Sequence, residues 1–238
     1  MNQNSIHLQE REYTPIARLV GAVNTILWDH GQLIGDNTDV EGFWMDLVSF
    51  IKVAPEISGS QALILGAGGA ARAVSYALWV HGWWVRVAAR RLEQAQSLVT
   101  DLQRNADNFK QAGQETCSNQ PGNWNERLIA DSITHLTDLQ SGIQNIGLIV
   151  NATPIGKYPH IEDTIWPSGL SFPAQAHAYD LVYNPAETRF LLQAKQAGCS
   201  IRGGLGMLVE QAMLSFERWT GKIPPRDIIL RSMNVDRI

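Results

Sequence analysis

The sequence is short of cysteine, of long apolar runs and of any excess of one charge, and each shortage excludes a class of protein. Cys117 and Cys199 are too few for a disulfide scaffold and carry no metal-ligand spacing, so both are expected as free thiols. No apolar stretch reaches the roughly 18 residues that a membrane-spanning helix needs. The N-terminus, Met1 to Glu10, is polar, and the chain is expected in the cytoplasm, with no membrane partner. Lys plus Arg number 19 against 23 Asp plus Glu, with no block of like charges, so no nucleic-acid surface is expected and small molecules are the expected partners. The six histidines stand singly, none at i, i+4 from another or beside a cysteine, and no metal site is expected.

What the chain does have is enough apolar material for one or two cores: 45% of its 238 residues are hydrophobic. Residues 12 to 50 read as a short helix, a hairpin of Ala22 to Trp28 and Gln32 to Gly35 turning at Asp29-His30-Gly31, and a second helix. In that helix Phe43, Trp44, Leu47, Val48 and Ile51 recur at helical spacing, and Pro55 and Gly59 end it. The apolar strand Ala62 to Leu65, a glycine turn, a helix from about Ala70 to His81 and a strand Val85 to Ala89 then make a βαβ unit. A helix from Leu92 to about Arg104 leads into the polar stretch Asn105 to Asn125, which reads as a loop. Strand character returns at Gly147 to Asn151, Ala178 to Tyr183 and Ser200 to Ile201, with a helical stretch Ala186 to Gly198 and a final helix Met207 to Thr220. Strands alternating with helices predict an α/β fold, a doubly wound parallel sheet.

The chemistry begins at Gly66-Ala67-Gly68-Gly69-Ala70. These glycines follow an apolar strand and open a helix, the context in which backbone without side chains approaches a pyrophosphate and the helix N-terminus faces the anion. At the end of the second strand, where an NAD enzyme places an acid for the ribose 2′-hydroxyl, the chain has Ala89-Arg90-Arg91. Two guanidiniums and no carboxylate suit a 2′-phosphate, so NADP is favoured over NAD. The competing readings are a tight structural turn and two solvated surface arginines.

Five further segments carry a resemblance. Gly21-Ala22-Val23-Asn24-Thr25, Gly35-Asp36-Asn37-Thr38-Asp39, Asn151-Ala152-Thr153-Pro154-Ile155-Gly156, Asp180-Leu181-Val182-Tyr183-Asn184-Pro185 and Gly204 to Ala212 occur in one order with the nucleotide turn between the second and third. Together they resemble the shikimate dehydrogenase family from about residue 12 to the C-terminus. That resemblance implies NADPH-dependent reduction of 3-dehydroshikimate to shikimate on the route to chorismate and the aromatic amino acids, in a cleft between two domains. It implies that Asn24 and Asp39 hydrogen-bond hydroxyls of the substrate, with Asp39 half of a catalytic Lys-Asp pair. Gln211 would also reach the substrate and Tyr183 would lie near its carboxylate. Gly66, Ala67, Gly68, Gly69 and Ala70, with Ala89, Arg90 and Arg91, would hold the NADP pyrophosphate and 2′-phosphate. Asn151, Ala152, Thr153, Leu181 and Gly204 would line the nicotinamide end.

The chain departs from the family where the resemblance would put an Asn-Val-Thr-x-Pro-x-Lys segment and an N-terminal Ser-x-Ser pair. Its first lysine is Lys52, beyond Asp39, and Ser58-Gly59-Ser60 precedes the first strand of the βαβ unit. The expectation is an N-terminally truncated chain: residues 1–40 a remnant of a smaller α/β substrate domain, 41–57 a connecting helix, 58–203 a Rossmann-type NADP-binding domain, and 204–238 helices packing back toward the remnant. Trp28, Phe43, Trp44 and Leu47 are expected to form an exposed apolar patch that drives self-association. Two alternatives stand beside the dehydrogenase reading: a non-catalytic NADP-binding module and a reductase of the quinate/shikimate type.

Overall fold

A computed structural model describes residues 12–51, 61–112, 124–136, 143–173 and 176–232. Its centre is a six-stranded, wholly parallel sheet made of β4 (Gln61–Leu65), β5 (Trp84–Ala89), β6 (Leu128–Ser132), β7 (Ile146–Asn151), β8 (His177–Asp180) and β9 (Ser200–Arg202). The order β6-β5-β4-β7-β8-β9 winds outward in two directions from β4 and β7, the doubly wound order of a Rossmann-type fold. Ligands of such sheets bind where the order reverses, beyond the carboxyl ends of the strands. Here that point lies between Leu65 and Asn151, which are register partners.

Alternation within the strands explains the layers. On β4, Ala62 and Ile64 join the core on one face, and Leu63 and Leu65 join the core on the other. The first face is covered by α2 (Asp39–Ile51), α3 (Gly69–Val80), α4 (Leu92–Gln111) and α6 (Leu205–Thr220), the second by α5 (Arg189–Gln196) and the segment around Trp166. Strands buried on both faces read as continuous apolar runs, which is why Ala62 to Leu65 is so plain in the sequence. A short helix, α7 (Arg226–Ser232), closes the described chain.

A second sheet of three strands has the order β1-β3-β2, with β1 (Glu12–Tyr13) parallel to β3 (Gln32–Asp36) and β2 (Thr25–Asp29) antiparallel to it. The helix α1 (Pro15–Val20) is capped by Thr14, whose hydroxyl accepts from the Ala17 amide. Asp29 pairs with Gln32 across a two-residue turn, and His30 and Gly31 both have positive φ, the twist that a tight hairpin requires.

Three expectations need correction. The helix α4 does not stop near Arg104 but runs to Gln111, because its buried stripe of Ala95, Leu98, Leu102 and Ala106 continues and the Asn105 amide donates to the carbonyls of Arg18 and Leu19 at the end of α1. The strand β6 lies in a region read as having no strand, and Trp124 to Arg127, partly assigned to the loop, form a 3-10 turn; residues 113–123 lie outside the described residues. The expected apolar patch is also different. Phe43 and Leu47 are fully buried and Trp44 stacks on His81 at 3.5 Å, whereas Ile26 (59% exposed), Trp28 (70%) and Leu33 (57%) form the exposed apolar surface of the small sheet. The end of the connecting helix beyond Ile51, with Lys52 and Ser58 to Ser60, lies outside the described residues.

Candidate active site

The glycine turn is shaped by the strand ends around it. The Gly66 amide donates to the Ala88 carbonyl at 2.8 Å, and the Ala152 amide donates to the Leu65 carbonyl at 2.9 Å, so the ends of β4, β5 and β7 are tied together. Gly66 has φ +119°, and a Cβ there would stand 2.9 Å from Thr153 Cγ2 and 3.0 Å from the Ala152 oxygen. Only glycine fits. Gly68 differs: its φ of −85° is open to any residue, and an added Cβ would meet nothing within 4 Å. It stands at the N-cap of α3 with no side chain bonded to the first amides, and Gly69 and Ala70 follow as the first helical residues. Unpaired amides, the positive end of the helix dipole and open space in front of them make a fitting cradle for a pyrophosphate.

At the end of β5, Ala89 is buried, whereas Arg90 and Arg91 are exposed and form no ion pair among the described residues. Guanidiniums without a carboxylate partner keep their donors for a ligand anion. The residues present therefore fit NADP at both its charged ends.

The turn after β7 is held by a buried polar cluster. The Asn151 amide donates to Asp180 Oδ1 at 2.9 Å and to the Ile155 carbonyl at 3.2 Å, and its oxygen accepts from the Thr153 amide and hydroxyl at 3.0 and 2.7 Å. Asp180, fully buried, also accepts from Thr188 Oγ1 and the Val182 amide. Burial pushes its carboxyl up to about 6, against the three hydrogen bonds that favour the charged form. The cluster fixes the 151–155 turn and the 180–182 turn as one unit. Gly204 packs so closely on the Leu181 carbonyl that no side chain fits there. Ala152, Thr153, Leu181 and Tyr183 then line one side of a cleft of about 240 Å³ that Ala70 of the glycine turn also borders.

A second polar cluster gathers around Asn24. The Asn24 amide donates to Asp39 Oδ1 at 2.8 Å and to Thr38 Oγ1 at 3.0 Å, and lies 3.4 Å from Gln211 Oε1. Its oxygen accepts from the Thr38 amide at 2.9 Å and the Thr25 hydroxyl at 3.0 Å. Three segments far apart in sequence thus meet at one amide, because the hairpin delivers Asn24, the start of α2 delivers Asp39 and the first half of α6 delivers Gln211. The start of α2 is itself capped by Asn37, whose oxygen accepts from the Asp39 and Val40 amides. The two helices approach closely at Gly42, where a Cβ would stand 2.8 Å from the Gln211 backbone nitrogen. Burial raises the Asp39 carboxyl above its ordinary value, and the Asn24 bond works against that rise. The segment leading into the cluster passes the glycine turn, since a Cβ on Gly69 would stand 3.7 Å from Ala22 Cβ, two residues before Asn24.

Asn24, Asp39 and Gln211 therefore come together, while Tyr183 belongs to the cleft lined by Ala152, Thr153 and Leu181. Sequence reasoning passed over the residues that hold the cluster, namely Thr25, Thr38 and Ser215. The Ser215 hydroxyl sits 2.8 Å from Thr25 Oγ1 and 3.1 Å from Thr38 Oγ1. The signal was available, because both threonines adjoin the quoted asparagine and aspartate and Ser215 lies one helical turn after Gln211. Also passed over was the buried contact that ties α2 to the large sheet, where Asp46 accepts from Tyr179 Oη at 2.5 Å and from Arg202 at 2.5 and 3.2 Å.

The profile of the Shikimate 5′-dehydrogenase C-terminal domain matches residues 204–233. A shikimate dehydrogenase (NADP(+)) of Carboxydothermus hydrogenoformans is 36% identical over 219 residues, 92% of this chain and 69% of that protein. The chain belongs to the shikimate dehydrogenase family. Among solved structures of that family, the enzyme of Thermus thermophilus in complex with NADP(H) and shikimate matches at TM-score 0.70 and 31% identity, covering 94% of this chain and 71% of that one. The quinate dehydrogenase of Corynebacterium glutamicum in complex with NAD matches at TM-score 0.73 and 26% identity, covering 94% of this chain and 71% of that one. Shikimate dehydrogenases of this kind are NADP-dependent oxidoreductases, and the doubly wound parallel sheet described above is the Rossmann-type fold in this chain.

Proposed function

We propose that the chain binds NADP and acts in the reduction of 3-dehydroshikimate to shikimate, the chemistry of the route to chorismate and the aromatic amino acids. The observation that carries the proposal is the convergence of Asn24, Asp39 and Gln211, with Ala22, two residues before Asn24, lying against the first turn of the helix that the glycines open. A ring with several hydroxyls and a carboxylate needs donors and acceptors at fixed angles, which an amide pair around a carboxylate supplies. When bound, the cofactor supplies the hydride. In this reading Gly66 to Ala70 receive the pyrophosphate, Arg90 and Arg91 receive the 2′-phosphate, and Asn151 to Thr153, Leu181 and Gly204 line the nicotinamide end. Asn24 and Gln211 orient substrate hydroxyls, and Asp39 takes part in proton transfer at the carbonyl oxygen, its raised carboxyl suiting it to exchange a proton. Tyr183 lies near the substrate carboxylate.

The same reading divides the chain into residues 1–40, 41–57, 58–203 and 204–238 as substrate-side segment, connector, cofactor domain and C-terminal segment. Within these 238 residues no lysine precedes Asp39. Turnover by the chain as it stands is therefore expected to fall short by the roughly 10² to 10⁴ that a positioned proton donor contributes. The exposed Ile26, Trp28 and Leu33 support self-association of the same 238 residues.

The test is shikimate-dependent NADP+ reduction by the purified chain beside an NADPH titration. Binding with weak, measurable turnover supports the proposal. Binding with no turnover at any shikimate concentration favours the NADP-binding module, and faster turnover of quinate than of shikimate favours the quinate-type reading, to which the Corynebacterium likeness lends weight.

A further inference from the structure

The cleft that Tyr183 lines holds a cation that nothing above has used. Lys157 borders it together with Ala70, Ala152, Thr153, Leu181 and Tyr183. The rest of that lining is mostly apolar or backbone, and Lys157 makes no ion pair or side-chain hydrogen bond among the described residues. Nor is it an incidental lysine on a loose loop. Its amide donates to the Pro154 carbonyl at 3.2 Å and its carbonyl accepts from the His160 amide at 2.9 Å. The preceding Gly156, at φ +91°, packs against Thr188, the residue whose hydroxyl bonds Asp180. The turn that carries Lys157 is thus anchored to the same buried Asn151–Asp180 cluster that shapes the nicotinamide side. An ammonium without a carboxylate, held at the rim of a mostly apolar cleft beside a phenol, is chemistry for an anion with a flat, partly apolar body.

Two anions belong to the reaction: the carboxylate of the ring substrate and the phosphates of the cofactor. The phosphates already have their own receptors, the open amides of α3 and the unpaired Arg90 and Arg91. We infer that Lys157 and Tyr183 form a carboxylate subsite that holds the acid group of the substrate on the cofactor side of the cleft, an inference that rests on the NADP–shikimate reading above. It gives these 238 residues a means of binding the carboxylate that does not depend on a Ser-x-Ser pair. Lys157 is then a specificity residue, selecting ring acids over neutral polyols.

The experiment is equilibrium titration of shikimate and of its methyl ester into the 238-residue chain at saturating NADP+, with the unsubstituted protein, Lys157→Gln and Lys157→Arg. NADPH alone is titrated into each. Lys157→Gln is expected to weaken shikimate roughly tenfold, the scale of one charge-assisted contact, to leave the methyl ester within about twofold, and to leave NADPH unchanged, with Lys157→Arg recovering most of the shikimate loss. Equal losses for acid and ester overturn the subsite alone, whereas a chain that binds NADPH but no shikimate contradicts the substrate reading beneath it and removes the subsite with it. A loss confined to the NADPH titration reassigns Lys157 to a cofactor phosphate and overturns it as well. A chain that fails to bind NADPH contradicts the underlying cofactor reading and removes the subsite with it.

Discussion

The Asn24 amide donates to the Asp39 carboxylate at 2.8 Å, and this one bond joins the hairpin of the small sheet to the first turn of the helix that packs on the large one. It also opposes burial, which raises the Asp39 carboxyl. Replacing Asn24 by Ala removes the opposing donor, so the Asp39 titration is expected to move further up, read by carboxyl NMR across the acid range. Shikimate-dependent turnover should fall at least tenfold while NADPH affinity holds. An unmoved titration would show that the bond is not formed in solution.

That cluster was half legible in the sequence. Asn24 and Asp39 each stand in a turn-like context where local backbone bonds are the ordinary explanation, and Asn37, two residues before Asp39, does serve as such a cap. What periodicity could not show is that α6 delivers Gln211 to the same point from 187 residues away. The parallel sheet was legible because buried strands are apolar throughout, as at Ala62 to Leu65. The strand β6 was not, because it is an edge strand carrying Asp131 and Ser132 and an exposed Ile129. The patch expected of Phe43 and Leu47 failed for a related reason. Those side chains face the large sheet, where Phe43 meets Tyr179 at 5.2 Å, and not the small one.

Asp180 gives stability a pH dependence of known sign. Its folded value of about 6 lies above the ordinary 3.8, so the fold binds this proton more tightly than the unfolded chain. The contribution is complete below pH about 4 and lost as pH rises through 6, amounting to about 3 kcal/mol at most. Urea unfolding at pH 4 to 7 should therefore show a steeper decline for the unsubstituted chain than for Asp180→Asn. Parallel pH profiles would contradict the assignment.

Two glycines in one turn are expected to respond oppositely. Gly68→Ala adds a methyl group where the chain offers nothing within 4 Å, so the melting temperature should hold while NADPH binding weakens severalfold or more. Gly66→Ala forces a side chain to φ +119° against Thr153 and should cost roughly 1–3 kcal/mol. Calorimetry paired with NADPH titration separates the two. If Gly68→Ala bound NADPH normally, the space in front of α3 would not be the pyrophosphate site.

Asp46 anchors α2 to the ends of β8 and β9 through Tyr179 and Arg202. Asp46→Ala leaves Arg202 without its partner in a mostly buried position and should cost about 3 kcal/mol, whereas Tyr179→Phe removes a single hydrogen bond and should cost about 1 kcal/mol. Equal effects in urea unfolding would mean that the charge contributes nothing beyond the hydroxyl contact.

The most direct test of the account is a calorimetric titration of the 238-residue chain with NADPH and with NADH, repeated on Arg90→Ala. One site binding NADPH roughly tenfold or more tightly than NADH, with that preference lost in Arg90→Ala, is the predicted result. Equal affinity for the two cofactors, or no binding of either, would contradict the reading of the glycine turn and the arginine pair as an NADP site.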